Sequence, residues 1–427
     1  MEKIILKVTE KDRMRLRELA KQQYEISQLP VMREREERWY RHNSCQGSCR
    51  GDYPLVVMEI KYCIDDYLDL ECETEFARAV EKELLTQLVN HTLVDDDKVI
   101  PGYFTVYWDM DIRTFDLDME EKRVTDNRGK SVGYTTIHHL ENLEESFCKI
   151  GKTVRRADKE YTYRYKERAE EIFGDILPVK IKMPPSVNWM VSPSKKAIYL
   201  MGLESMMLAP YDCPERYQQL YGMLVDDVLE TFQWMKREGL LCLNNGNDYA
   251  GAGSYGFTGE LPSGQYLKTG EIELKDLWVN LNSQETLSIS PDMYGAFYWP
   301  HYKRLAEQFG LVYYGCCEPT NPIWKDYLST LDNLRKVSVS PWADDELMGE
   351  YLRGSKIIYS KKPSPNYLAL DTPLNAEHYR EHIKKSVLAA RGCETEIIAR
   401  DVYALYGDRH KLGQGVQIIR EVLEKYW

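Results

Sequence analysis

The chain predicts an α/β protein: a closed (β/α)8 barrel of the TIM type with an amino-terminal mixed α/β extension. From Lys159 onward, short β-branched or aromatic runs alternate with amphipathic stretches. Their spacings of about 20–40 residues mark βαβ units and hence a parallel sheet. Seven such runs follow Lys159 and at least one precedes it, which matches the eight strands of a closed barrel. No glycine-rich turn of the GxGxxG kind opens a helix after the first strand, so an open doubly wound sheet is the weaker alternative.

Taken in order, residues 10 to 42 read as helix, with the charge-dense stretch from Arg33 to Arg38 as a solvated face. Residues 43–52 form a polar loop holding Cys45 and Cys49, a CxxxC pair with no second pair to complete a metal site. Residues 55–60 and 103–108 read as strands and 76–91 as a helix, while 109–158 is charged and irregular, with His138 and His139 in a surface loop. The extension covers 1–158 and contributes strands or covers the barrel; the barrel with its active-site mouth covers 159–427. Its strands are expected at 178–183, 240–244, 277–281, 311–316, 336–339, 356–359 and 396–399. Helices are expected at 159–173, 214–237, 291–309, 323–331, 344–352, 376–391 and 409–426. The glycine-rich run 246–259 reads as a long flexible loop at the barrel mouth.

Composition narrows the class. Hydrophobic residues at 43% and charged residues at 29% of 427 describe a globular chain rather than a disordered or fibrous one. A net charge of −12, with acidic residues spread along the chain, speaks against non-specific nucleic-acid binding and docking on an anionic membrane. No apolar run approaches the roughly 20 residues of a membrane span. The first residues show no signal-peptide pattern, and ten irregularly spaced cysteines suit free thiols, so the expected location is cytoplasmic. With 31 Tyr against 9 Phe, wet pockets lined by tyrosine are expected.

In such barrels the catalytic groups sit at the carboxyl ends of the strands. The expected strands are followed by Asn244 and Asn245; by Asn282, Ser283, Gln284 and Glu285; by Cys316, Cys317 and Glu318; by Ser340, Pro341 and Trp342; by Ser360, Lys361 and Lys362; and by Arg400, Asp401 and Tyr403. These amides, thiols and ionisable groups point to one convergent pocket. Cys316 and Cys317 are candidate nucleophiles or soft-metal ligands, both roles requiring the thiolate. Lys361, Lys362 and Arg400 would lower a thiol pKa or pair with an anionic substrate group, and Glu285, Glu318 and Asp401 would serve as acids, bases or zinc ligands. The candidate catalytic groups are Cys317, Glu318 and Asp401. The substrate-binding set is Asn245, Gln284, Glu285, Tyr314, Trp342, Lys362 and Tyr403, and the metal candidates are Cys316 and Cys317. No His lies beside a strand end, so a Cys–His dyad is not supported, and Cys148, Cys213 and Cys393 read as packing residues.

Tyr314-Gly315-Cys316-Cys317-Glu318-Pro319, the run from Leu334 to Asp344, and Lys362-Pro363-Ser364-Pro365 together resemble the uroporphyrinogen decarboxylase-like superfamily. The match is closest to its branch akin to corrinoid-dependent methyltransferases. The runs Arg38 to Asn43 and Gly256 to Pro262, and Ser283-Gln284-Glu285 with Ser290-Pro291, agree with it. The resemblance implies a (β/α) barrel with an amino-terminal extension and a methyl transfer of one-carbon metabolism. The methyl group would pass between a small methylated substrate and a corrinoid protein docked over the mouth. It also implies zinc held by a His-x-Cys at one strand end and a further Cys near the last strand. Cys316 falls on that first Cys, but Tyr314 stands at the His, and Tyr403 and Leu405 stand where related proteins can carry His-x-Cys. Two alternatives stay open: a metal-free decarboxylase or lyase, and a catalytically silent barrel binding a small ligand or a corrinoid partner. The haem-pathway decarboxylases grip a tetrapyrrole with Arg and Asp near their amino terminus, and no comparable Arg-rich loop follows residue 60 here.

Overall fold

The computed structural model describes all residues except 1–2, 48–50, 118, 120, 126–130, 190 and 371–372. Cys49, and with it the CxxxC pair, lies outside the described residues. The single helix expected at 10–42 is two, α1 (Glu10–Ser27) and α2 (Pro30–Asn43). Pro30 has no N–H to continue α1, but it starts α2 well because the first helical position needs none. At the other end of α1, Thr9 and Asp12 form a capping box that satisfies two otherwise orphaned N–H groups. Next come β1 (Leu55–Met58), α3 (Glu75–Val89) and β2 (Phe104–Tyr107).

The stretch 109–158, expected to be irregular, carries two antiparallel pairs instead. These are β3 (Met110–Arg113) with β6 (Val154–Ala157), and β4 (Glu121–Thr125) with β5 (Ser131–Thr136). Charged residues hid them, because these strands pack mainly at the periphery and show little apolar alternation.

From α4 (Lys159–Phe173) and β7 (Val179–Lys182) the chain passes through α5 (Pro193–Met201), α6 (Leu203–Asp212) and α7 (Pro214–Arg237). The glycine-rich run is not a flexible mouth loop. It folds into a small hairpin, β8 (Tyr249–Gly251) and β9 (Ser254–Tyr255), in which Ala250, Ala252 and Ser254 are fully buried. The remaining elements are β10 (Trp278–Leu281), α8 (Pro291–Phe297), α9 (Trp299–Ala306), β11 (Leu311–Tyr314), β12 (Leu334–Val339), α10 (Asp345–Leu352), β13 (Ile358–Lys361), α11 (Ala376–Ala389), β14 (Thr395–Ala399) and α12 (Lys411–Tyr426). The helix expected at 291–309 divides because Pro300 cannot donate into it. The one expected at 323–331 is two short 3-10 turns, Asn321–Ile323 and Leu328–Thr330. Too few residues lie there to repay helix nucleation.

Six parallel strands form one sheet in the order β1-β14-β13-β12-β11-β10, and β2 pairs with β7 in a separate parallel ribbon. The architecture is therefore α/β with a parallel sheet. Among the described residues no ladder joins the ribbon to either edge of the sheet, so hydrogen bonds do not close the expected ring.

Both edges are occupied by connecting segments. At β1, Val56 N–H donates to Asp97 Oδ2 and Met58 N–H to Asp96 Oδ2, each at 2.7 Å, while Asp97 N–H returns a bond to Val56 O. At β10, Asn244 takes the role of a strand residue with its side chain. Its Nδ2 donates to Trp278 O and its Oδ1 accepts from Trp278 N–H. Residues 240–244, expected as a strand, thus line the edge without forming one.

The outer face of the sheet packs Val279, Leu281, Val312, Tyr314, Val337 and Val339 against α7, α8 and α9. Val56, Met58, Ile397 and Ala399 pack against α12. The inner face has apolar pieces, Leu55, Val57 and Ile398 with Trp39 and Phe257, and Trp278 and Leu311 with Ala250 and Leu261. Between these lie Asn280, Tyr313, Lys336, Ser360 and Glu396, all buried. The β8–β9 hairpin presses on this face. A Cβ on Gly253, whose φ is +90°, would lie 2.5 Å from Ile398 Cγ2. No helix among the described residues is long and apolar enough to cross a membrane.

Candidate functional site

A charged thread runs through the interior. Glu396 accepts hydrogen bonds from Ser360 Oγ at 2.6 Å, Ser254 Oγ at 2.9 Å and His42 Nε2 at 3.2 Å, and pairs with Lys336 Nζ at 3.1 Å. His42 Nδ1 reaches Glu394 at 2.9 Å. Burial opposes ionisation of Glu396, but Lys336 and then His42 overcome it and hold the carboxyl far below its usual range. Burial likewise works against a charged His42, and the hydrogen bonds to Glu394 and Glu396 raise its pKa nonetheless. The thread continues towards the carboxyl ends of the strands. Ser360 Oγ meets Tyr313 OH at 2.9 Å, and Lys362 Nζ donates to both hydroxyls at 2.7 Å. Burial pushes the Lys362 amine down to about 7, against the attraction of Glu396.

Above Lys362 lies the strand-end cluster. Gly315, at φ +98°, turns the chain as β11 ends, and a Cβ there would stand 3.0 Å from that of Ser338. The turn brings Cys316 Sγ and Cys317 Sγ to 3.6 Å. Cys317 is held below the usual thiol value by its bond from Cys316, whose own thiol the same bond and then burial push well up. Arg400 Nη1 lies 3.6 Å from Cys316 Sγ, while Arg400 Nε pairs with Glu59 at 3.2 Å and Asp401 at 3.3 Å. Asp401 itself sits at φ +63°, a left-handed conformation that costs a non-glycine residue energy and is held by its surroundings. Tyr62 and Tyr403 stack with centroids 4.8 Å apart, both within electrostatic reach of Arg400 and Asp401. A cavity of about 240 Å³ lies between the β2–β7 ribbon and the hairpin, lined by Tyr103, Tyr107, Lys182, Asp248 and Tyr249 among others. Tyr249 also feels Glu59, Arg400 and Cys316, so cavity and cluster share a wall.

The expected site residues divide. Cys316, Cys317, Glu318, Asp401 and Tyr403 come together, with Lys362 beneath them. Glu318 is a buried clamp: its carboxylate accepts from Ser283 N–H at 2.7 Å and Cys316 N–H at 3.0 Å, tying the β10 end to the β11 end. Burial pushes it up to about 7. Gln284 and Glu285 sit beside that clamp, with Glu285 accepting from Ser194 Oγ at 2.7 Å on the helical side.

Asn245 is elsewhere. It donates to Leu261 O, and Leu261 packs on Trp278 and Leu311, the first residues of their strands, so Asn245 lies at the amino ends. Tyr314 points outward, because alternation along a strand sets it opposite Tyr313; its hydroxyl meets Ser283 Oγ and Tyr294 OH at 2.7 Å. Lys361 also faces the helices, paired with Asp345. Trp342 is on the rim, 68% exposed.

Glu59, His42, Tyr313, Lys336 and Glu396 were not anticipated. Lys336 and Glu396 did carry a signal, since a charge inside a parallel strand buried on both faces must find a partner there. Glu59 was concealed inside a strand run drawn two residues too long.

The donor set does not fit zinc. Among the described residues no group of three or more His, Cys, Asp or Glu side chains is placed to hold a metal ion. Cys316 Sγ faces the Arg400 guanidinium, Tyr314 is turned into the helical layer, Tyr403 is exposed and Leu405 is buried.

No family model and no curated protein matches the chain. Among solved structures it is similar to a B12-independent methionine synthase from Shewanella sp. W3-18-1 in complex with selenomethionine, with 11% identity and a TM-score of 0.33. That likeness covers 74% of this chain and 77% of the other, and nothing below rests on it.

Proposed function

We propose that the chain is an enzyme of the methyltransferase type. It would act on a small methylated onium compound, a quaternary ammonium or a sulfonium, at the carboxyl ends of β1, β11 and β14. The corrinoid of a partner protein would supply the methyl acceptor. One observation carries this: the mouth gathers Glu59, Asp401 and the Cys317 thiol beside the stacked Tyr62 and Tyr403, and Arg400 pairs with both carboxylates. Carboxylates and ring faces favour a cation, and a cation–π contact contributes about 0.5–2 kcal/mol depending on its desolvation. Lys61 Nζ, 5.8 Å from the Tyr62 centroid, already uses one of these rings in that way. An onium methyl group departs from a neutral amine or sulfide, so the carbon is activated without a Lewis acid, in agreement with thiols that face a guanidinium.

The exposed Trp342, Leu370 and Tyr406, which follow β12, β13 and β14, give the same end an apolar rim suited to a protein seated over it. The expected closed ring belongs to the same proposal, with the β2–β7 ribbon completing it around the hairpin. So does the division into an extension, 1–158, and a barrel, 159–427.

The test is calorimetric binding of trimethylammonium and dimethylsulfonium compounds against their neutral tert-butyl and isopropyl counterparts. The onium forms should bind at least about tenfold tighter, or 1.4 kcal/mol, and Asp401→Asn should remove most of the preference. Equal binding of charged and neutral forms overturns the proposal. Onium binding with no methyl transfer to a supplied reduced corrinoid returns the chain to a silent binding barrel.

A metal-free lyase or decarboxylase is the second reading, favoured by Lys362, an amine near neutrality held by two hydroxyls and suited to moving protons. There the same titration would favour small carboxylates over onium compounds.

A further inference from the structure

We infer that Cys316 and Cys317 form a reversible oxidation site, at which a hydroperoxide converts the adjacent thiols into a disulfide. The inference needs only the two thiols and does not rest on the reaction proposed above. Their sulfurs stand 3.6 Å apart in a turn fixed by Gly315 on one side and Pro319 on the other. The two differ in access: Cys317 is half-buried, whereas Cys316 is 4% exposed. One thiol is therefore placed to meet a reagent and the other to resolve the product. Arg400 Nη1, 3.6 Å from Cys316 Sγ, adds a positive field that favours negative sulfur in the pair. Five other thiols are engaged differently. Those of Cys45, Cys63, Cys148, Cys242 and Cys393 each contact backbone carbonyls instead. Burial, the leading cause in each case, pushes the Cys45 and Cys393 thiols up to about 11.

The chemistry balances in two steps. The Cys317 thiolate attacks the terminal peroxide oxygen and the O–O bond breaks. Sulfur is oxidised to the sulfenic acid, and the remaining alkoxide or hydroxide leaves as an alcohol or water after taking up a proton. The Cys316 sulfur then attacks the Cys317 sulfur. The S–S bond forms, the S–O bond breaks, and the departing hydroxide takes the Cys316 proton and leaves as water. Two thiols and one hydroperoxide thus give one disulfide, one alcohol and one water.

Adjacent Cα atoms are about 3.8 Å apart, below the roughly 4.4–6.8 Å of ordinary disulfides. The product is strained and easily reduced, which makes it reversible rather than structural. Its formation withdraws the half-buried Cys317 thiol from the mouth and twists the Cys316–Cys317 peptide, next to the Cys316 N–H that holds Glu318.

The folded chain treated with a small excess of hydrogen peroxide, alkylated and digested, provides the test. The peptide containing both residues should lose two hydrogen atoms and both alkylation sites, and dithiothreitol should restore them. Cys316→Ser should stop at a Cys317 sulfenic acid trapped by dimedone, and Cys317→Ser should give neither product. Intact alkylation at both positions while the exposed Cys148 is oxidised would overturn the inference. So would a lasting sulfenic acid in the unsubstituted chain. Peptide mass reads thiol state alone, so its failure is separable from a failure of onium binding.

Discussion

His42 illustrates how one side chain inside the sheet ties stability to pH. Its imidazole lies between Glu394 and Glu396 with both ring nitrogens engaged, an arrangement that suits the imidazolium. A histidine whose folded pKa is raised adds stability that is complete below its unfolded value, about 6.5. That contribution fades as pH rises through the higher folded value. Melting temperature should therefore decline on the alkaline side of about pH 6.5, and His42→Gln should flatten that decline while lowering stability at pH 5. An alkaline slope unchanged in the variant would place the titrating group elsewhere. None of this was legible in the sequence, where His42 stands at the end of the expected helix, just beyond its charge-dense solvated stretch from Arg33 to Arg38. What gave the strand-end cysteines away was their position before Pro319. What hid Glu396 and Lys336 was their place at the first residue of each expected strand, where a charge reads as a flank.

At the scale of elements, the alternation of β-branched and aromatic residues located β1, β2, β7 and β10 to β14 within a few residues, since a strand buried on both faces needs an apolar run. It failed where a side chain imitates backbone, as Asn244 does beside Trp278, and where glycine packs instead of bending. The β8–β9 hairpin is the clearest case. Its glycines looked like flexibility, yet Gly253 is required by contact, because the hairpin backbone lies against Ile398. Gly253→Ala adds a methyl group 2.5 Å from Ile398 Cγ2 at a φ of +90°, and should cost about 1–3 kcal/mol through overpacking and backbone strain together. Gly259→Ala, with no atom within 4 Å of the added carbon, is the matched control and should change stability by less than about 0.5 kcal/mol. Urea titration of the pair decides the point: equal midpoints would mean the hairpin is free to move off the sheet.

At the scale of the molecule, the parallel order of strands was legible, but the lack of a closing ladder among the described residues was not, because it depends on Asp96, Asp97 and Asn244 occupying the edges with side chains. The consequence is a division of stability. β12 is bonded on both sides within the six-stranded sheet, whereas among the described residues β2 and β7 form ladder bonds only with each other. One link from the ribbon to the hairpin segment is Lys182, at the end of β7. Its Nζ contacts Asp248 Oδ1 at 2.6 Å, Asn247 O at 3.3 Å and Tyr103 OH at 2.8 Å, all beside the cavity. Local opening follows such weakly tied units before global unfolding reaches the sheet. Amides of β2 and β7 should exchange with solvent faster than those of β12 under native conditions. Asp248→Asn should widen the gap, because it leaves a partly buried ammonium with only neutral acceptors. Discounted for the remaining exposure of both groups, 18% and 15% of their side chains, the loss should be about 1 kcal/mol. That corresponds to roughly fivefold faster exchange in the ribbon with β12 unchanged. If β2, β7 and β12 instead exchange together and slow or quicken as one, the ribbon and the sheet are a single cooperative unit and the ring is closed by packing alone.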